Sequence, residues 1–269
     1  NPFFQRTRSV ISIHNAAFPG VFDRQQFWAV PEIQDYEQRI NYDYGHINLL
    51  KCGVLYADKI NAVSPNYASE LLTHLGAHGM ASVFQQRASD LRGILNGCDY
   101  QDWDPAFDPL LPATYDADHL AGKHTCKRAL QQETGLPVGN LPIYGMVCRL
   151  TEQKGVHLLI PALDKFLQHQ VQVVIVGSGD PSLAAQLQTI AQQHPDRFAF
   201  INAYDDRLAH LVEAGADFFL MPSLFEPCGL NQMYSLAYGT LPLVRAVGGL
   251  KDTVVDWDAD PARATGFCF

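Results

Sequence analysis

Phe225-Glu226-Pro227-Cys228-Gly229-Leu230 crowds a carboxylate, a Pro and a Gly between an apolar strand-like run at 217–221 and a helix-like run at 231–238. A carboxylate at the exit of a buried strand accepts hydrogen bonds from sugar hydroxyls. The backbone N–H groups that open the following helix face an anion. Taken alone, the hexapeptide also fits an ordinary strand–turn–helix corner in which Gly allows tight packing. A second segment, Val147-Cys148-Arg149-Leu150-Thr151-Glu152-Gln153-Lys154-Gly155, follows the apolar run Ile143–Val147 and precedes an amphipathic one at 156–167. Arg149 offers a planar fork and Lys154 a mobile point charge, a pair suited to a diphosphate. The plainer reading is two solvated loop cations.

These residues need elements to hold them. From 143 onward the chain alternates Val- and Ile-rich runs with helical ones: strands at Ile143–Val147, 171–176, Phe198–Ile201, Phe218–Met221 and, last, Leu241–Val244, with helices at 156–167, 182–193, 207–214 and 230–238 between them. Apolar runs bounded by Gly are parallel strands buried on both faces, hence a doubly wound sheet. Ligands of such sheets bind beyond the carboxyl ends of the strands, and Arg149, Gly177, Tyr204 and Glu226 all follow strands. Before Gly97 the pattern gives a strand at 9–13, a segment at 21–44 rich in Phe, Tyr and Gln, and a helix at 47–56. A strand at 59–63 follows, then a helix opened by Ser64-Pro65 and a final strand before Asn96. The stretch from Asp102-Trp103-Asp104-Pro105 to Asp116 is rich in Pro and Asp and reads as a connector, not a packed element.

Composition sets the class. With 269 residues, 47% hydrophobic and 17% charged, the chain has room for one large core or two smaller ones. A formal net charge of -9 argues against nucleic acid as the main partner, whereas an anionic sugar nucleotide needs only a few local cations. Six cysteines, Cys52, Cys98, Cys126, Cys148, Cys228 and Cys268, form no CxxC pair, as expected of reduced thiols in a cytoplasm. Cys228 stands apart inside the phosphate-type turn, where its backbone N–H is expected to matter more than its thiol. The ten histidines carry no HExxH or clustered spacing, so no metal site is expected, and no run suits a membrane helix.

The two chemical segments resemble those of the bacterial glycogen synthases, which elongate α-1,4-glucan from ADP-glucose, and of their plant starch synthase relatives. The likeness continues through His14-Asn15-Ala16-Ala17-Phe18-Pro19-Gly20, Lys51-Cys52-Gly53, Tyr56-Ala57-Asp58, Ala62-Val63-Ser64-Pro65 and Leu95-Asn96-Gly97 with Asp99 and Trp103. Gly177-Ser178-Gly179-Asp180-Pro181, Tyr238-Gly239-Thr240-Leu241-Pro242 and Gly248-Gly249-Leu250-Lys251-Asp252-Thr253-Val254 complete it. The resemblance implies an α/β chain of two Rossmann-like doubly wound domains of the GT-B type, the first incomplete, with the active site in the cleft between two such sheets. Residues 1–97 would be the C-terminal part of the acceptor-side domain, 98–118 the interdomain connector and 119–269 the nucleotide-sugar-binding domain, truncated at its end. The family's amino-terminal Lys-containing, Gly-rich donor loop has no counterpart here, so an internal fragment of a longer protein is expected.

By the same resemblance the activity is retaining transfer of glucose from ADP-glucose to the non-reducing end of an α-1,4-glucan. Arg149 and Lys154 match the diphosphate cations, Glu226 the carboxylate that holds the donor glucose, and His14 and Asn96 further glucose contacts. Tyr204 matches an aromatic placed against adenine, and Cys228, Gly229, Leu230 and Asn231 the turn that meets the phosphates. No divalent metal or cofactor is implied, and the oligomeric state is left open. Two alternatives remain: a catalytically silent or glucan-binding remnant, and a related glucosyltransferase with another donor. Two departures stand out. Tyr234 occupies the position, eight residues after Glu226, where many relatives of this architecture carry a second Glu, though it is as in bacterial glycogen synthases. Val247 stands before the Gly-Gly turn where Thr is usual, which removes any hydroxyl role there.

Overall fold

The structure, a computed structural model, describes residues 5–27, 42–43 and 45–269, without the side chains of Arg24, Phe27, Tyr42 and Asp43. Most of the segment at 21–44 therefore lies outside the described residues. The chain divides into two compact units, Asn1–Asn96 and Gly97–Phe269.

The first unit contains β1 (Val10–Ile13), β2 (Val21–Asp23), β3 (Tyr42–Asp43), β4 (His46–Asn48), β5 (Lys59–Ala62) and β6 (Leu91–Gly93). Parallel pairing in the order β1-β5-β6 makes one sheet, and β2-β4-β3 makes a small antiparallel one that the sequence pattern did not indicate. The expected cap at Ser64 is present: its Oγ accepts the Tyr67 N–H at 3.1 Å, with Pro65 in the first helical turn.

The second unit contains β7 (Ile143–Val147), β8 (Gln172–Val176), β9 (Phe198–Ile201), β10 (Phe218–Met221), β11 (Leu241–Val244) and β12 (Phe267–Cys268). All six strands pair in parallel in the order β12-β11-β10-β7-β8-β9. Counted within the unit and read from β9, that is 3-2-1-4-5-6, the Rossmann order, whose switch point lies between β7 and β10. Every residue of β8 is buried, because helices cover both faces. Val174 and Val176 pack towards Leu130, Leu208 and Leu211 on one face. Val173 and Ile175 pack towards Leu163, Leu187 and Ile190 on the other. The doubly wound parallel sheet expected from the Val- and Ile-rich runs is thus observed.

Three features differ from the sequence expectation. The sheet does not end at β11, since Phe267 and Cys268 pair beside Leu243 and Val244; a two-residue strand leaves no period to detect. Helix Ala121–Glu133 was not foreseen, because Lys, His, Thr, Arg and Gln dilute its narrow buried stripe of Cys126, Leu130 and Gln131. The Pro- and Asp-rich stretch expected to be unpacked belongs to the second unit and is packed, with Tyr115 and Asp108 buried. Among the described residues, no helix is long and apolar enough to cross a membrane.

Candidate functional site

β7 and β10 are neighbours, so the chain leaving Val147 and the chain leaving Met221 emerge side by side at the switch point. The two loops are bonded to each other. The Leu224 N–H donates to the Gln153 carbonyl at 2.8 Å, and Gln153 Nε2 donates to the Phe225 carbonyl at 3.3 Å. Gly155 adopts φ 71°, and a Cβ there would overlap the Pro222 carbonyl oxygen. Only glycine permits this approach, which explains the Lys154-Gly155 pair.

The consequence is an ion pair between Lys154 Nζ and Glu226 Oε2 at 2.6 Å. The Ser223 hydroxyl donates to the same oxygen at 3.1 Å, and Glu226 is only 6% exposed. Desolvating two charges is costly, and close geometry with additional hydrogen bonds offsets that cost. The sequence reading gave Lys154 to a diphosphate and Glu226 to a sugar; the structure brings the two together. Beneath them, the Gly249 N–H donates to the Glu226 carbonyl at 3.1 Å, and a Cβ at Gly248 would overlap that carbonyl oxygen. The Gly-Gly turn is therefore the floor of the glutamate loop, while Val247 packs against the adjoining apolar core.

The remainder of the 225–231 turn is held from within. Cys228 is buried. Gln232 Nε2 lies 3.1 Å from the Cys228 carbonyl oxygen and 2.9 Å from that of Gly229. Asn231 opens helix Asn231–Ala237, and its Nδ2 donates to the Val147 carbonyl at 3.0 Å, tying that helix to the end of β7.

Beside the pair lies a cavity of about 270 Å³ entirely within the second unit. Of the sequence candidates, Arg149, Lys154, Tyr204 and Asn231 line it, together with Gly177 and Ser178 after β8. Arg149 is exposed, and among the described residues no hydrogen bond or ion pair engages its guanidinium. Tyr204 stands at the rim, 92% exposed. Glu226, Cys228, Gly229 and Leu230 do not line the cavity; they form the loop from which Glu226 reaches Lys154. His14 and Asn96 belong to the first unit, His14 exposed just beyond β1 and Asn96 half-buried beyond β6. The turn after His14 is fixed by the Ala16 N–H donating to the Tyr67 hydroxyl at 2.8 Å.

Trp103, Glu213 and Tyr234 are among the lining residues that had no role assigned from the sequence. The Trp103 ring is stacked between His210 and Tyr234, with centroids 3.8 Å and 3.9 Å away. Asp108 Oδ2 accepts from the Tyr238 hydroxyl at 2.6 Å and lies 2.8 Å from His210 Nδ1, which fixes the ring behind Trp103. Glu213 is buried, and burial pushes its carboxyl up to about 8. Burial likewise pushes the neighbouring Cys148 thiol up to about 12, leaving it a thiol at neutral pH. No group of His, Cys, Asp and Glu among the described residues could hold a metal ion. The geometry thus offers cations for an anion, ring faces for a planar group and a carboxylate beside the cations.

The family model described as "Glycosyl transferases group 1" matches residues 128–269, and "Starch synthase catalytic domain" matches residues 1–86. The chain is 90% identical to a glycogen synthase of Aeromonas hydrophila subsp. hydrophila, over all of this chain and 55% of that protein. It is 60% identical to a glycogen synthase of Photobacterium profundum, over 99% of this chain and 53% of that protein. Among solved structures it resembles the catalytic domain of starch synthase IV from Arabidopsis thaliana bound to ADP and acarbose. The TM-score is 0.88 at 34% identity, covering 97% of this chain and 56% of that one. The fold is therefore that of the GT-B glycosyltransferases. The chain spans about half the length of the curated relatives it matches.

Proposed function

The chain belongs to the group 1 glycosyl transferases, and from that premise we propose that it serves a glycogen synthase, with retaining transfer of glucose from ADP-glucose to the non-reducing end of an α-1,4-glucan. The observation that carries this reading is the placement of Arg149, Lys154 and Glu226 at the switch point of the Rossmann-type sheet, beside a cavity rimmed by Tyr204.

The chemistry follows from charge. Breaking the bond between glucose C1 and the donor diphosphate leaves negative charge on ADP and positive character at C1. Arg149 and Lys154 meet the growing negative charge as preorganised donors. Glu226 holds glucose hydroxyls and faces the positive character at C1; its contact with Lys154 keeps acid and cation in one place. His14 and Asn96 remain glucose contacts on the strength of the resemblance, and Tyr204 a ring for adenine. Protein cations carry the charge in this reading, so it calls for no divalent metal. The ADP-bound starch synthase IV domain supports a nucleoside diphosphate as ligand.

The test is a chimera in which this chain replaces the matching stretch of the Aeromonas hydrophila relative. Glucose transfer to glycogen should proceed from ADP-glucose and fall sharply with UDP-glucose. A chimera that folds but transfers no glucose, or prefers UDP-glucose, overturns the reading.

A further inference from the structure

Glu213 is an acid of the cavity for which the proposed function has no task. It is 1% exposed, and its Oε1 is buried with no hydrogen-bond partner among the described residues. A buried polar atom left unmatched costs stability, so such an atom in a ligand cavity calls for a partner. We propose that Glu213, held as a neutral acid, presents Oε1 as a hydrogen-bond acceptor to the nucleoside half of a nucleoside diphosphate. This rests on the reading that the cavity takes ADP.

The hydrogen bonds on the other carboxyl oxygen favour the neutral form. Ser235 Oγ lies 2.7 Å from Glu213 Oε2 and 2.8 Å from the Asn231 carbonyl oxygen. A hydroxyl has one proton and cannot donate to both. A proton on Oε2 resolves this: Glu213 donates to Ser235, and Ser235 donates to Asn231. Oε1 is then a carbonyl-type acceptor. No cation among the described residues lies within ion-pair distance of Glu213. Lys123, whose charge acts on it, donates instead to the Ala214 and Tyr238 carbonyls and the Thr240 hydroxyl at 3.0, 3.1 and 2.7 Å. Tyr115, Tyr234 and Tyr238 are the other titratable groups coupled to it, all held protonated by burial.

Placement selects the nucleoside half. An ionised diphosphate has acceptors only, so it cannot satisfy an acceptor, and its charge is met by Arg149 and Lys154. Glu213 shares the cavity with the Trp103 and Tyr234 rings, where an O–H or N–H of a sugar or base would meet it. An ionised Glu213 would instead set a negative charge beneath an anionic ligand.

The experiment is calorimetric binding of ADP to the full chain. Glu213→Gln keeps a carbonyl acceptor and a donor towards Ser235, so at neutral pH its affinity should stay within about twofold of the parent. Glu213→Leu removes the acceptor and should weaken ADP by about tenfold. Between about pH 7.5 and about pH 9.5 the parent should lose ADP affinity as Glu213 ionises, and Glu213→Gln should lose clearly less. Lys123, lowered to about 8 by burial and acted on by Glu213, titrates in the same window in both proteins, so the readout is the difference between the two profiles. Comparison with 2′-deoxy-ADP separates the sources: a Leu penalty that vanishes for the deoxy ligand assigns the ribose, and one that persists assigns another nucleoside O–H or N–H. Equal ADP affinity in Glu213→Leu, equal loss in Glu213→Gln and Glu213→Leu, or identical pH profiles of parent and Glu213→Gln each overturn the inference. Failure of the parent to bind ADP would instead overturn the underlying reading, and the inference with it.

Discussion

Glu213 and Glu226 lie thirteen residues apart, on either side of β10, and both are almost sealed from water. Glu226 touches Lys154 and accepts from Ser223 on the same oxygen. Among the described residues Glu213 has a serine and no cation within ion-pair distance, and one of its oxygens has no hydrogen-bond partner. Burial alone drives a carboxyl towards its neutral form, and an adjacent cation opposes that drive. One chain thus gives two buried acids, one in a loop and one in a helix, different partners: a cation for Glu226 and a serine for Glu213.

Removing the cations should break this contrast most violently. In the chimera, Arg149→Ala or Lys154→Ala should lower kcat by about a hundredfold or more, in keeping with the ~2.7–4 kcal/mol typical of one preorganised donor. The two should differ in stability. Lys154→Ala strands Glu226 without its cation and should lower Tm, whereas Arg149→Ala, which breaks no hydrogen bond or ion pair among the described residues, should not. Near-normal rates in both folded variants would remove these residues from the chemistry.

Altering Glu226 is the next step. Glu226→Gln keeps shape and removes charge; Glu226→Ala removes both. Each should lose mainly kcat, with ADP affinity little changed, because the proposed function has Arg149, Lys154 and Tyr204 hold the nucleotide. Calorimetry beside steady-state glucose transfer separates the outcomes. A defect in ADP affinity alone would make Glu226 a structural corner.

The smallest effect sharpens the comparison from the side of Glu213. Its carboxyl stands at about 8 in the folded chain against an ordinary 4.5. The folded state therefore holds a proton that the unfolded state releases, and the stabilisation is complete below about pH 4.5 and lost as pH rises through about 8. Lys123, lowered to about 8 by burial, acts in the opposite direction above that pH. Parent and Glu213→Gln melting temperatures should converge progressively from pH 5 to pH 8 if Gln is the less stable at low pH. A constant offset would show that Glu213 does not change its proton in that interval.

The sequence made Glu226 legible and left Glu213 hidden, for physical reasons. A parallel strand buried on both faces is written as an uninterrupted apolar run, so the limits of β7, β9, β10 and β11 could be read directly, and with them the strand ends from which Arg149 and Glu226 emerge. Glu226 announced itself through Pro and Gly at a strand exit. Glu213 sits within helix Asp206–Gly215, where a glutamate ordinarily marks a solvent face; only the run Leu211, Val212, Ala214 and Gly215 around it hinted at burial. The Lys154–Glu226 pair was illegible as well, because it depends on the adjacency of β7 and β10, strands with two others between them in the chain.

The stretch 97–118 carries a lesson about where this chain comes apart. Its proline and aspartate content invites a cut at its far end, with a second piece starting near 119. Such a piece would retain all six strands of the sheet. It would also discard Asp108, orphaning the buried Tyr238 hydroxyl and His210 ring, and discard Trp103, stripping one aromatic wall from the cavity. The natural seam runs before Gly97, and what looks like a tether is part of the cavity wall.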